Sequence, residues 1–155
     1  MSIRKLLARS ASSMSTWGLR HIARRPAANM PGKIALKLDP QIIAESMGKV
    51  TEGSIVVVGT NGKTTITNMI ADALERQGKT VACNRTGANL AYGVATTLLQ
   101  TKGSVEWGVF ESDELWLAHT LPQVQASYVL LLNLFRDQLD RCGEIDRVQD
   151  AIVQA

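Results

Sequence analysis

The chain has 155 residues, of which 45% are hydrophobic and 20% charged, with a formal net charge of +3. That is enough apolar material for one cored domain, which excludes wholesale disorder, and no apolar run approaches the roughly 18 residues of a membrane-spanning helix. Cys83 and Cys142 are too few for a disulfide framework or a four-thiolate zinc site within this chain, and fit a reducing compartment.

The charge is unevenly placed. Residues 1–37 hold eight Lys or Arg and no acid, whereas residues 38–155 hold the other nine basic residues and all fourteen acids. A basic head over residues 1–31 therefore precedes a mildly acidic body over residues 32–155. In the head, Ile3, Leu7, Ser10, Met14 and Trp17 fall roughly on one helical face, with Arg4, Lys5 and Arg9 away from it. Three readings stay open: a helix on an anionic membrane surface, a mitochondrial transit peptide, or a helix packed on the body with its basic side in water. Pro26 and Pro31 are expected to end any helix there.

Residues 38–50 read as a helix, with Asp39 as N-cap, Pro40 at the first helical position and Gly48 near the stop. Residues 54–58, Ser-Ile-Val-Val-Val between Gly53 and Gly59, read as a buried parallel strand. Residues 64–77 follow as a helix with Ile66, Met69, Ile70, Ala73 and Leu74 in phase, stopping at Gly78. A strand is expected over 80–83, a helix over 89–99 and a third strand over 105–111. A short helical piece over 115–119 precedes Pro122, and a strongly apolar fourth strand covers 127–132. Residues 144–154 begin another helix. Strands alternating with helices imply βαβ units and a parallel sheet, so the expected fold is α/β. The alternation is still running at Ala155, and the domain is expected to be incomplete at that end.

Three segments carry chemistry. The first is Val58-Gly59-Thr60-Asn61-Gly62-Lys63-Thr64-Thr65, after a buried strand and at the start of a helix. Gly59 and Gly62 allow a tight turn, the helix N-terminus favours anions, Lys63 neutralises phosphate and the Thr64 hydroxyl can ligate Mg²⁺. The spacing departs from G-x-x-x-x-G-K-[ST], because Val57 stands where that pattern needs glycine. The second is Glu111-Ser112-Asp113-Glu114, leaving the third strand at the edge where ligands gather. Glu111, first off the strand, is the candidate Mg²⁺ ligand. Glu114 reads as an acidic helix start, and Asp113 serves equally well as N-cap or site residue. The third is Asn133-Leu134-Phe135-Arg136-Asp137-Gln138-Leu139-Asp140-Arg141, at the end of the fourth strand.

Together these segments resemble the ATP-binding central domain of the Mur ligase superfamily, which includes folylpolyglutamate synthase. Residues 59–65 resemble its nucleotide loop, and residues 133–140 its N-x-x-x-D-H-L-D segment. Within the superfamily, Asn84-Arg85-Thr86-Gly87-Ala88-Asn89-Leu90, residues 111–114 and residues 133–141 look most like the MurT group, the ligase-like subunits of bacterial lipid II isoglutaminyl synthase. The resemblance implies a P-loop-type site for ATP and Mg²⁺. Gly59, Thr60, Asn61, Gly62, Lys63, Thr64, Thr65, Asn89 and Asn133 would bind nucleotide, Thr64 and Glu111 would hold Mg²⁺, and Lys63 and Glu111 would serve catalysis. Gln138 stands where ordinary Mur ligases place a metal-contacting histidine, which argues against a second, histidine-bound metal.

The implied function is ATP-dependent amidation of D-glutamate in the lipid II stem peptide, in peptidoglycan synthesis. The ammonia would come from a glutamine amidotransferase partner of the GatD type. The implied location is cytoplasmic, with peripheral contact at the inner face of the membrane and no nucleic-acid partner. The family's zinc ribbon and C-terminal ligase domain are not represented in these 155 residues, so a fragment is expected. The alternatives are another amino-acid ligase of the Mur or folylpolyglutamate synthase type, and an ATP-binding module without activity.

Overall fold

Strand β1 (Val50–Val58) is central in a four-stranded sheet, and its apolar half, Val56 to Val58, has no solvent exposure. On one side it pairs with β3 (Val105–Glu111), which pairs in turn with β2 (Val81–Cys83); on the other it pairs with β4 (Tyr128–Leu131). All three pairings are parallel and the order is β2-β3-β1-β4. This is a computed structural model. It describes residues 29–134 continuously, with Ser10, Gln149, Asp150, Ile152 and Val153 besides. The rest of the basic head, residues 135–148, and Asp137 and Gln138 with them, lie outside the described residues.

The pleat sends alternate residues to opposite faces. Val56, Val58 and Phe110 meet a core formed with Ala35, Ile42, Ile43, Val94, Leu98, Leu117 and Val124. These come from α1 (Met30–Leu38), α2 (Ile42–Ser46), α4 (Ala91–Gln100) and α5 (Leu117–Val124). Helix α3 (Lys63–Arg76) packs against β1, β2 and β3, with Thr67 and Ala71 buried. Arg85 fastens the end of β2 to α3 through Asp72 at 2.6 Å and Glu75 at 2.8 Å.

Three local expectations change, and the apolar fourth strand lies exposed. Pro31 does not end a helix but stands in the first turn of α1, where its missing N–H is one that no helix would satisfy. Residues 38–50 are not one helix. Asp39 is extended and closes α1, its N–H donating to the Ala35 carbonyl, while its Oδ1 accepts from Gln41 N–H at 3.1 Å. Pro40 disfavours a helical conformation at Asp39, so α2 starts only at Ile42. Pro122 lies inside α5 rather than beyond a helix. The helix ends two residues later, so little ladder is lost. Finally, β4 has the composition of an interior strand yet lies at the sheet edge among the described residues, with Tyr128 62% and Val129 48% exposed.

Helix α1 crosses α4 at Gly32. The Gly32 N–H donates to Thr96 Oγ1 at 2.8 Å, and a Cβ there would lie 1.9 Å from the Tyr92 carbonyl oxygen. The obstacle is backbone, so it cannot swing aside. Gly32→Ala is expected to cost about 3 kcal/mol. Urea unfolding of the full-length protein checks this, as a lower midpoint at an unchanged slope.

Candidate functional site

The chain leaves β1 at Val58 and enters α3 at Lys63 through a four-residue turn. Gly59 (φ 145°) and Gly62 (φ 87°) both hold the left-handed backbone that glycine tolerates. Gly62 offers no side-chain cap, so the first-turn N–H groups of α3 remain available to an anion. Asn133, just beyond β4, braces this turn from behind. Its carbonyl accepts from Thr60 N–H at 2.9 Å, its Oδ1 accepts from Asn61 N–H at 3.0 Å, and its Nδ2 donates to the Asn61 carbonyl at 3.0 Å. A Cβ on Gly59 would lie 3.0 Å from the Asn133 carbonyl oxygen, so the two segments are in close contact.

Residues 60–65 line a cleft of about 290 Å³ together with Gly87, Asn89 and Glu111. Eight of the ten residues singled out from the sequence thus face one space. Gly59 and Asn133 are not in the cleft lining but support the turn. Sheet register explains the convergence: Glu111 is the partner of Val57, two residues before Gly59. Asn89 joins this edge through its carbonyl, which accepts from Asp113 N–H at 2.8 Å.

Glu111 is only 1% exposed. Asn84, at the end of β2, fixes its backbone by accepting from Glu111 N–H at 2.9 Å and donating to its carbonyl at 3.1 Å. Its carboxylate accepts from Thr64, while Oε2 has no partner among the described residues. Burial pushes its pKa above the usual carboxylate range, and the Thr64 hydrogen bond and nearby Lys63 pull it partly back. Gly87 (φ 76°) sits over this pair. A Cβ there would be 3.3 Å from Thr64 Oγ1 and 3.7 Å from Glu111 Oε1. The result is a small space with a hydroxyl, a buried carboxylate and an unsatisfied oxygen. Such a hard-oxygen set fits Mg²⁺, which takes one or two protein oxygens and completes its shell with water and phosphate.

Lys63 is folded back on the turn. Its ammonium donates to the Gly59 carbonyl, to the Thr60 carbonyl at 3.3 Å and to Glu114 Oε1 at 3.4 Å. Glu114 is the acid of a helix start, as expected, but it is 5% exposed and paired with the lysine. Asp113 is the cap, its Oδ1 accepting from Leu115 N–H at 3.1 Å ahead of the 3₁₀ turn Glu114–Trp116. Sequence reasoning assigned no role to Asn84 or Gly87, and read Glu114 only as an acidic helix start. All three lay in family-like segments, Asn84 and Gly87 in 84–90 and Glu114 in 111–114. Cys83 is half-buried, and burial pushes its thiol up to about 12, which leaves no nucleophilic thiolate near neutrality.

A central parallel strand, a glycine-bracketed Lys-Thr turn at a helix start and a carboxylate on the neighbouring strand define an α/β domain of the phosphate-loop class. Residues 57–154 match the Mur ligase middle domain, and the chain belongs to that family. It is 36% identical to the lipid II isoglutaminyl synthase (glutamine-hydrolyzing) subunit MurT of Streptococcus pneumoniae, over 100% of this chain and 34% of that protein. Against the MurT of Staphylococcus aureus (strain COL) it is 34% identical, over 91% of this chain and 35% of the other. A UDP-N-acetylmuramate--L-alanine ligase from Mesorhizobium japonicum is 33% identical over 65% of this chain and 20% of its own length. The chain thus spans about a third of the MurT relatives. The MurF ligase from Thermotoga maritima in complex with ADP superposes with TM-score 0.66 at 21% identity, over 80% of this chain and 29% of that one, which shows the shared fold.

Proposed function

We propose that the chain is the nucleotide-binding part of a MurT-type subunit. It would activate the α-carboxylate of D-glutamate in the lipid II stem peptide for amidation by ammonia from a glutamine amidotransferase subunit. What carries the reading is the convergence of Lys63, Thr64 and Glu111 on one cleft, together with similarity to MurT along the whole of this chain. The turn 59–62 and the first N–H groups of α3 would cradle the ATP phosphates, with Lys63 balancing their charge. Thr64 and Glu111 would hold Mg²⁺, which when bound offsets charge on the phosphates. The γ-phosphoryl group passes to the carboxylate oxygen and ADP leaves. Ammonia then attacks the acyl carbon, phosphate departs and the amide remains after loss of a proton.

The similarity to an L-alanine ligase keeps a second reading open, in which an amino acid supplies the amine. Product analysis of the full-length protein with its partner separates the two: an amide with ammonia or glutamine, or a peptide bond with an amino acid.

The nucleotide step has its own test. Lys63→Ala is expected to weaken MgADP binding by about 1.5–3 kcal/mol, the scale of a charge-assisted contact. Titration calorimetry on the full-length protein reads this directly. Equal affinity in parent and variant removes the turn from the site.

A further inference from the structure

We propose that Glu114 is an internal stand-in for phosphate, occupying Lys63 until nucleotide displaces it. The inference rests on the nucleotide-binding reading of the turn. An ammonium group has three N–H donors. On Lys63 they meet three acceptors: the Gly59 carbonyl, the Thr60 carbonyl and Glu114 Oε1. None is left over for a ligand, so a phosphate oxygen reaching this ammonium must take the place of one acceptor. Two of them are backbone atoms of the turn itself. The third is a side chain from a different segment and the only anion of the three. A phosphate oxygen is its like-for-like substitute.

Displacement is costly. Lys63 and Glu114 keep only 9% and 6% of their side-chain surface, so a Glu114 carboxylate that loses its cation stays buried unless it moves. Glu111, a second buried carboxylate, lies in the same site. Glu114 therefore holds nucleotide affinity down and makes Lys63 an exchange site rather than an open one. The 3₁₀ turn does not need this side chain. Asp113 caps it, Asp113 N–H is tied to the Asn89 carbonyl, and the Glu114 carbonyl accepts from Leu117 N–H. Substitution of Glu114 should leave the turn in place.

The sign of the effect separates this positioning role from a structural one. A residue that only shapes the site loosens it when replaced, and nucleotide binds more weakly. Replacing a competing anion makes nucleotide bind more tightly. The experiment is titration calorimetry on the full-length protein with MgADP and with Mg-pyrophosphate, comparing the parent with Glu114→Gln and Glu114→Asp. Glu114→Gln is expected to lower the Kd of both ligands roughly 10- to 150-fold, the scale of one charge-assisted contact. In turnover, KM for ATP should fall without a rise in kcat. Glu114→Asp keeps the charge but loses a methylene of reach, so it should tighten binding in the same direction, and it decides the matter if the Gln variant does not fold. Unchanged or weaker MgADP binding overturns the proposal, as does a gain for MgADP without one for pyrophosphate. A parent protein that binds no MgADP removes the nucleotide reading too, whereas a binding parent with no gain in the variants removes this inference alone.

Discussion

Glu111→Gln should stop turnover while leaving the nucleotide-free fold at least as stable as the parent. The carboxylate is buried, one oxygen has no partner among the described residues, and burial raises its pKa. A group with a raised folded-state pKa favours folding most when protonated, below its unfolded value. That stability is lost as pH rises through the folded value, so at neutral pH the charged Glu111 weighs against folding. Gln keeps the shape and removes the charge. The melting temperature of the nucleotide-free variant should equal or exceed the parent's at neutral pH, and its advantage should shrink as pH falls toward the ordinary carboxylate range. Catalysis should move the other way. A neutral amide is a poor ligand for a hard divalent ion, and charge on the transferred phosphoryl group goes uncompensated. ATP-dependent amidation by the full-length protein with its partner should fall about 100-fold or more. Near-parental turnover at saturating Mg²⁺ would sink the metal assignment. A lower melting temperature at neutral pH would instead make Glu111 a structural carboxylate.

The sheet and the turn were readable because their signals are local. Ile55 to Val58 is an unbroken apolar run that ends at a glycine, and Lys63 opens a helical period. Glu111 could be chosen because a residue leaving a parallel strand must arrive at the ligand edge, and the register places it opposite Val57. Helix α1 was hidden by its own first turn. Proline starts helices as readily as it stops them, and the partner that decides between these, Thr96, is 64 residues away from Gly32. Glu114 was hidden for a related reason. An acid early in a helical turn faces solvent or the neighbouring loop according to how the chain leaves β3, and no spacing rule records that direction. Strand β4 was found by its apolar run, but its place at the sheet edge among the described residues depends on strand order, which a run of Tyr-Val-Leu-Leu does not encode.

The matched pair Gly87→Ala and Gly78→Ala separates backbone strain from loss of the metal cradle. Both glycines are left-handed, at φ 76° and φ 82°. Alanine in that region costs about 1–2 kcal/mol at either position. Their surroundings differ. Nothing lies within 4 Å of a Cβ added at Gly78, whereas at Gly87 it would come within 3.3 Å of Thr64 Oγ1 and 3.7 Å of Glu111 Oε1. Thermal melts should therefore show similar destabilisation in the two variants. Nucleotide binding should not. Gly78→Ala should bind MgADP as the parent does, because its methyl group meets only solvent. Gly87→Ala should crowd the two oxygens proposed to hold Mg²⁺ and lose roughly 10- to 100-fold in MgADP affinity, the scale seen when groups around a metal's ligands are disturbed. The loss should be confined to the metal complex. With Mg²⁺ removed by chelator, ADP should bind parent and Gly87→Ala about equally, since the turn 59–62 and Lys63 are untouched. Calorimetry of both variants with and without Mg²⁺ decides it. Equal losses at Gly78 and Gly87 would assign the effect to strain spreading through the fold. A loss at Gly87 that persists without metal would place its methyl group against the phosphates and take the Mg²⁺ site away from Thr64 and Glu111.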